Sequence, residues 1–133
     1  MNLSTLNYWA VFAAALSAFL IGGLWYSPLL FLRVWARANG FSADPPKAGP
    51  KVFALAFLFS LVMAFNLAMF LNDAKTTAAW GATAGFLAGF GWAAMSIAIV
   101  ALFERRPASY AIINGGYVTV ALTLMGLILG AWR

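Results

Sequence analysis

The chain contains no cysteine and no histidine. Disulfides, thiolate nucleophiles, Cys/His zinc sites, histidine-ligated haem and imidazole acid–base catalysis are therefore excluded. Acids are nearly absent as well: Asp44, Asp73 and Glu104 are the only three in 133 residues. A carboxylate cage for a metal, or a paired-carboxylate hydrolase, needs acids side by side, and these three are far apart in sequence. No catalytic residue, cofactor site or metal site is expected, and the chain does not read as an enzyme. Charged residues make up 8% of it, against ~25% in an ordinary soluble domain. Hydrophobic residues make up 65%, with a mean hydropathy of +0.91. Such a chain cannot cover a globule with polar surface, and it has too much apolar surface to stay disordered. An integral membrane protein remains.

What is present is a series of apolar runs. The first extends from Leu6 to Leu32 without a charge before Arg33, longer than the ~20 residues that cross a bilayer. Ser27-Pro28 divides it and reads as an N-cap followed by a first helical position. This predicts a membrane helix over about 6–26 and a short second helix over about 28–39, closed by Gly40 as its C′ residue. Arg33 and Arg37 stand four apart on one face, as suits a helix lying in the headgroup layer and touching anionic lipid. A single long, kinked helix is the alternative. Residues 42–51 hold three prolines and three charges and read as a loop. Further membrane helices are predicted over about 52–71, 78–103 and 110–132, with Thr76 or Thr77 capping the third and Ser109 the fourth. The fold class is all-α: one integral membrane four-helix bundle over residues 1–133 with a short interfacial helix. The first run lacks a basic leader segment and is too long for a cleaved signal peptide.

Charge placement sets the expected orientation. Arg33, Arg37, Lys47, Lys51, Arg105 and Arg106 fall on one side, and Lys75 and Arg133 on the other. The side with six positives is expected to be cytoplasmic, with loops 33–51 and 104–109 there and both termini opposite. The net charge of +5 is thereby read as membrane orientation, and no nucleic-acid partner is expected.

Each membrane run carries small residues four apart: Ala10, Ala14, Ala18 and Gly22; Ala56, Ser60, Ala64 and Ala68; Gly81, Gly85 and Gly89, continued by Ala93; and Gly115, Thr119 and Thr123, with Gly126 and Gly130 on an adjoining row. Such rows let backbones approach where lipid supplies no hydrophobic drive. The Gly81–Gly85–Gly89 row serves either packing inside the protomer or contact with another copy. No charge lies near the middle of any run, which argues against a proton-coupled carrier built on an intramembrane acid. Asn66, Ser96, Asn114 and Tyr117 are the uncharged polar candidates for lining a path, with interhelical glue as the plainer role. Asn7 to Trp25 and Asn114 to Trp132 span the same interval, and both end in Gly-x-Trp, a faint inverted echo.

The segment Gly23-Leu24-Trp25-Tyr26-Ser27-Pro28-Leu29-Leu30-Phe31, with Trp35 and the Asn39-Gly40-Phe41 turn, resembles the opening of a known family. Ile113-Asn114-Gly115-Gly116-Tyr117, with Met125-Gly126 and Leu129-Gly130-Ala131-Trp132, resembles its close. The family is the one known as domain of unknown function 1761. The resemblance implies a small four-helix protein of a bacterial inner membrane, with periplasmic termini on the charge argument above, and it implies no activity. Three functions fit these residues: a homo-oligomeric channel or transporter for a small solute, an accessory subunit of a larger membrane complex, or a protein that binds lipid or another hydrophobe.

Overall fold

The computed structural model describes residues 3–41 and 47–133; the first half of the expected loop, with Asp44, Pro45 and Pro46, lies outside them. After a single 3-10 turn at Leu3–Thr5 come α1 (Tyr8–Trp25), α2 (Leu32–Ala38), α3 (Pro50–Phe70), α4 (Ala78–Phe103) and α5 (Ala108–Ala131). No strand is present among the described residues. α1, α3, α4 and α5 are long and apolar enough to cross a membrane. At ~1.5 Å per residue they measure about 27–39 Å, against ~30 Å of hydrocarbon.

Consecutive membrane helices run antiparallel. Tyr8 packs on Phe65, Phe12 on Phe57 and Phe19 on Phe53, pairing α1 with α3. Asn7, Ala18 and Trp25 of the first helix meet Trp132, Tyr117 and Ile113 of the last. One end of the bundle therefore holds Asn7, Asn72 and Arg133. The other, the basic end, holds α2 and the Glu104–Pro107 turn. Between them the core is filled chiefly by alanine: Ala10, Ala14, Ala18, Ala64 and Ala121 are buried around a fully enclosed Met125. Small side chains bring the helix axes together, and Met125 fills the gap they leave.

The glycine row of α4 is occupied inside the protomer. A Cβ on Gly81 would run into the Gly126 carbonyl, one on Gly85 into the Leu122 carbonyl, and one on Gly130 into the Thr77 carbonyl. A Cβ on Gly89 would stand 2.8 Å from Thr119 Cα, well inside ordinary carbon contact of ~3.5–4.0 Å. The buried row then continues through Ala94 and not the expected Ala93. The reason is a π-helical stretch at Leu87–Ala94, whose wider turn makes the step from Gly89 to Ala94 one residue longer than an α-turn. Ala94 accordingly packs on Gly115.

Helix ends depart from the sequence expectations for identifiable reasons. Ser27 does not cap a helix at Pro28. Its hydroxyl donates back to the Leu24 carbonyl, a turn follows, and α2 starts only at Leu32. Pro50 belongs to a helix and not to the loop, standing as first residue of α3 after Gly49, where its missing N–H costs nothing. α5 begins at Ala108 after Pro107, so Ser109 lies inside it. α2 closes on Gly40 at φ +74°. The Phe41 N–H donates to the Ala36 carbonyl at 2.8 Å and the Gly40 N–H to that of Arg37 at 3.2 Å, a Schellman closure with Phe41 packed on Trp35. The same closure ends α4, where Arg105 takes the left-handed position at φ 58° and the Arg106 N–H donates to Ala101.

Candidate functional site

Two segments 88 residues apart meet at the basic end. The Trp25 indole Nε1–H donates to the Ile113 carbonyl at 2.9 Å, and the Tyr26 hydroxyl to Asn114 Oδ1 at 2.6 Å. The Tyr117 hydroxyl reaches across to the Ala18 carbonyl at 3.1 Å. Glycines admit the rings: Tyr117 lies on Gly22 and Trp25 on Gly116, where added Cβ atoms would stand 3.2 and 2.9 Å from them. Tyr26 also packs edge-on to Trp35 and Tyr117. Burial, with Tyr117 and Tyr110 nearby, pushes the Tyr26 hydroxyl above its ordinary value, so it is a neutral donor to Asn114. Asn114 and Tyr117 both sit within helical backbone of α5.

Beside this cluster lies an apolar cleft of about 390 Å³. Trp25 walls one side, Gly115 and Gly116 form its floor, and Phe90, Met95 and Ala98 line the π-helical side. Phe90, Met95 and Ile112 at its rim are exposed, so it opens on the side of the bundle. Its end near Ala111 adjoins the basic turn, where Arg106 lies 5.2 Å over the Tyr110 ring and pairs with Glu104 at 3.3 Å. Arg33 and Arg37 are exposed on α2, and Ala36 and Ala38 are buried beneath them.

A second cavity, of about 510 Å³, opens at the opposite end among Thr5, Asn7, Asn72, Asp73, Trp132 and Arg133. There the Arg133 guanidinium donates to the carbonyls of Leu71, Leu129 and Asp73. Buried Ala10, Ala68 and Leu129 close its base.

The four polar candidates do not share one lining within the protomer. Asn114 and Tyr117 come together at the basic end. Asn66 and Ser96 are exposed on α3 and α4, because helices apolar all round carry no stripe that turns a lone polar residue inward. Gly81, Gly85 and Gly89 form the α4–α5 seam. Trp25 and Gly116, central to the cleft, were not among the sequence candidates; their one signal was the family resemblance, Trp25 in Gly-Leu-Trp-Tyr-Ser-Pro and Gly116 in Ile-Asn-Gly-Gly-Tyr. Among the described residues no three acids, histidines or cysteines gather where a metal could be held.

Fold and composition together define a four-helix integral membrane protein with an apolar side cleft. The family described as "Protein of unknown function (DUF1761)" matches residues 9–130, and the chain belongs to it. The segments that touch at the basic end, around Trp25 and Asn114, are those that carry the family resemblance. No curated protein and no solved structure matches the chain.

Proposed function

We propose that this is a lipid-binding membrane protein, holding one acyl chain of an anionic lipid in the cleft between the π turn of α4 and Gly115-Gly116. The observation that carries the reading is the cleft itself: apolar but for Thr119, whose hydroxyl is bonded to the Gly115 carbonyl, open sideways at membrane depth, and walled by a tryptophan fixed by its hydrogen bond to Ile113. Chains are the groups available at that depth, and the neighbouring arginines supply attraction for an anionic headgroup. A photoactivatable acyl chain on an anionic lipid should label the stretch from Phe90 to Ala98 and the helix around Ile112 preferentially. Ala98→Phe, which fills the cleft, should lower that labelling severalfold, and a zwitterionic headgroup should weaken it. Labelling spread evenly over the lipid-facing surface would overturn the reading.

A solute pathway is the second reading, favoured by the polar vestibule at the Arg133 end. The core beneath it is filled, so a path would run between copies and not through one. Liposome flux that Asn114→Leu abolishes, in a variant that still folds, would favour it. Native mass spectrometry from the source membrane separates both readings from an accessory-subunit role, which requires a stoichiometric larger partner.

A further inference from the structure

We propose that the stripe Trp92–Ser96–Ile99–Phe103 on α4 is the seam of a homodimer. Trp9, Trp80 and Trp132 stand at one end of the bundle and Trp25 and Trp35 at the other. Trp92 alone lies deep in a span: at ~1.5 Å per residue it is about 20 Å from one end of α4 and about 16 Å from the other. It is 73% exposed, and its indole N–H has no acceptor among the described residues. Hydrocarbon offers it none. One turn on, Ser96 is exposed as well. The hydroxyls of Ser17, Ser60, Thr83, Thr119 and Thr123 all donate to a carbonyl three or four residues back. That of Ser96 has no partner among the described residues.

A second copy gives the indole an acceptor and the Ser96 hydroxyl a hydrogen-bond partner. Copies inserted the same way, related by a two-fold axis along the bilayer normal, carry each residue to the same depth. The Ser96 hydroxyl of the second copy then lies one turn, about 6 Å in depth, from Trp92, within reach of the long indole side chain, and can accept from its N–H, Trp92 being a donor only. Gly91 has nothing within 4 Å of where a Cβ would stand, leaving a flat place for the opposing ring. Ile99 and Phe103, 56% and 87% exposed, extend the stripe at intervals of three and four residues. With ~150–250 Å² on each aromatic, the stripe offers on the order of 500 Å² a copy, near the ~1,000 Å² total that a specific interface needs. Asn66 makes no such demand, since its neighbour Phe65 stacks on Tyr8 near the end of α1, within reach of water.

The absence of native cysteine makes the test direct. Ser96→Cys and, as control, Leu58→Cys on the exposed face of α3 are each reconstituted in liposomes and oxidised. Ser96→Cys should form disulfide-linked dimer at least tenfold faster. Adding Trp92→Ala should lower the yield severalfold, and adding Trp92→Phe, which keeps a ring and removes the N–H, should give an intermediate value. Circular dichroism checks that each variant is folded. Equal rates for Ser96→Cys and Leu58→Cys would overturn the proposal, as would dimer formation indifferent to both Trp92 variants.

Discussion

The α4–α5 seam predicts opposite signs for one chemical change at two places. Gly126→Ala adds a methyl where the Gly81 carbonyl already lies, 2.8 Å from its carbon and 3.3 Å from Gly85 Cα. Ordinary contact is ~3.5–4.0 Å, so α5 must withdraw by about 1 Å. A gap of that size forfeits a quarter to a half of each heavy-atom pair's well of ~0.1–0.2 kcal/mol, so losing it over as many contacts as one buried leucine makes, on the order of 40, costs about 1–4 kcal/mol. The range agrees with the ~1–3 kcal/mol typical of overpacked cores. Against this stands the helix preference of alanine over glycine, at most ~1 kcal/mol. Gly126→Ala should therefore destabilise by about 1–2 kcal/mol net. Gly23→Ala gains the same preference with nothing within 4 Å of the new methyl, and should stabilise by up to ~1 kcal/mol. Reversible unfolding in mixed micelles, followed by circular dichroism, measures both. Equal stability of Gly126→Ala and the parent, or a shift of both variants in the same direction, would refute the close seam.

At the Schellman turn after α4, Arg105→Gly should stabilise by about 1 kcal/mol, the cost of a left-handed side-chain-bearing residue, and Gly40→Ala should lose a similar amount; thermal unfolding midpoints check both. Tyr26 adds a pH dependence. Its folded-state value is raised, by burial first, so the folded chain holds that proton more tightly than the unfolded one. The stability this contributes is full below the unfolded value of ~10 and shrinks as pH rises past it toward the folded value. Unfolding curves should stay flat in this respect from pH 7 to 9 and weaken above 10, and Tyr26→Phe should remove that part of the fall.

Much of this architecture is legible in the sequence for one reason: in lipid, length and composition decide. The runs that became α1, α3, α4 and α5 stand out by apolar length, and the rows Ala10–Ala14–Ala18 and Gly81–Gly85–Gly89 by a spacing of four that leaves backbones bare. What the sequence hides is direction around a helix. Polar residues mark the solvent face of a soluble helix, but α3 and α4 are apolar all round, so Asn66 and Ser96 carry no sign of facing outward. Nothing local to Trp25 and Tyr26 says that they reach across to Ile113 and Asn114. Ser27-Pro28 has the chemistry of a helix start, yet the Leu24 carbonyl at the end of α1, which already accepts the Ser27 N–H, takes the serine hydroxyl as well.

The π turn ties the seam, the cleft and the exposed stripe to a single inserted residue. Up to Gly89, near its start, the row Gly81, Gly85 and Gly89 follows a spacing of four onto α5; from Ala94, its last residue, Ala94 and Ala101 are buried in their place. The wider turn carries Phe90 and Met95 to the cleft rim and Trp92 outward. Deleting Gly91, whose open surroundings hold no contact to lose, should return the step from Gly89 to Ala94 to an ordinary α-turn. Residues beyond the deletion keep their faces, because Ala94 then falls four after Gly89 and still meets Gly115. The bundle should fold with the helix content of the parent, while the cleft narrows as its wall straightens. Acyl-chain labelling around Ala98 should drop severalfold in the deletion variant, with circular dichroism unchanged. If labelling persists in a folded deletion variant, the cleft does not depend on the π turn. If the variant fails to fold, the longer step is a requirement of the seam itself, and the link drawn here between π turn and lipid site is wrong.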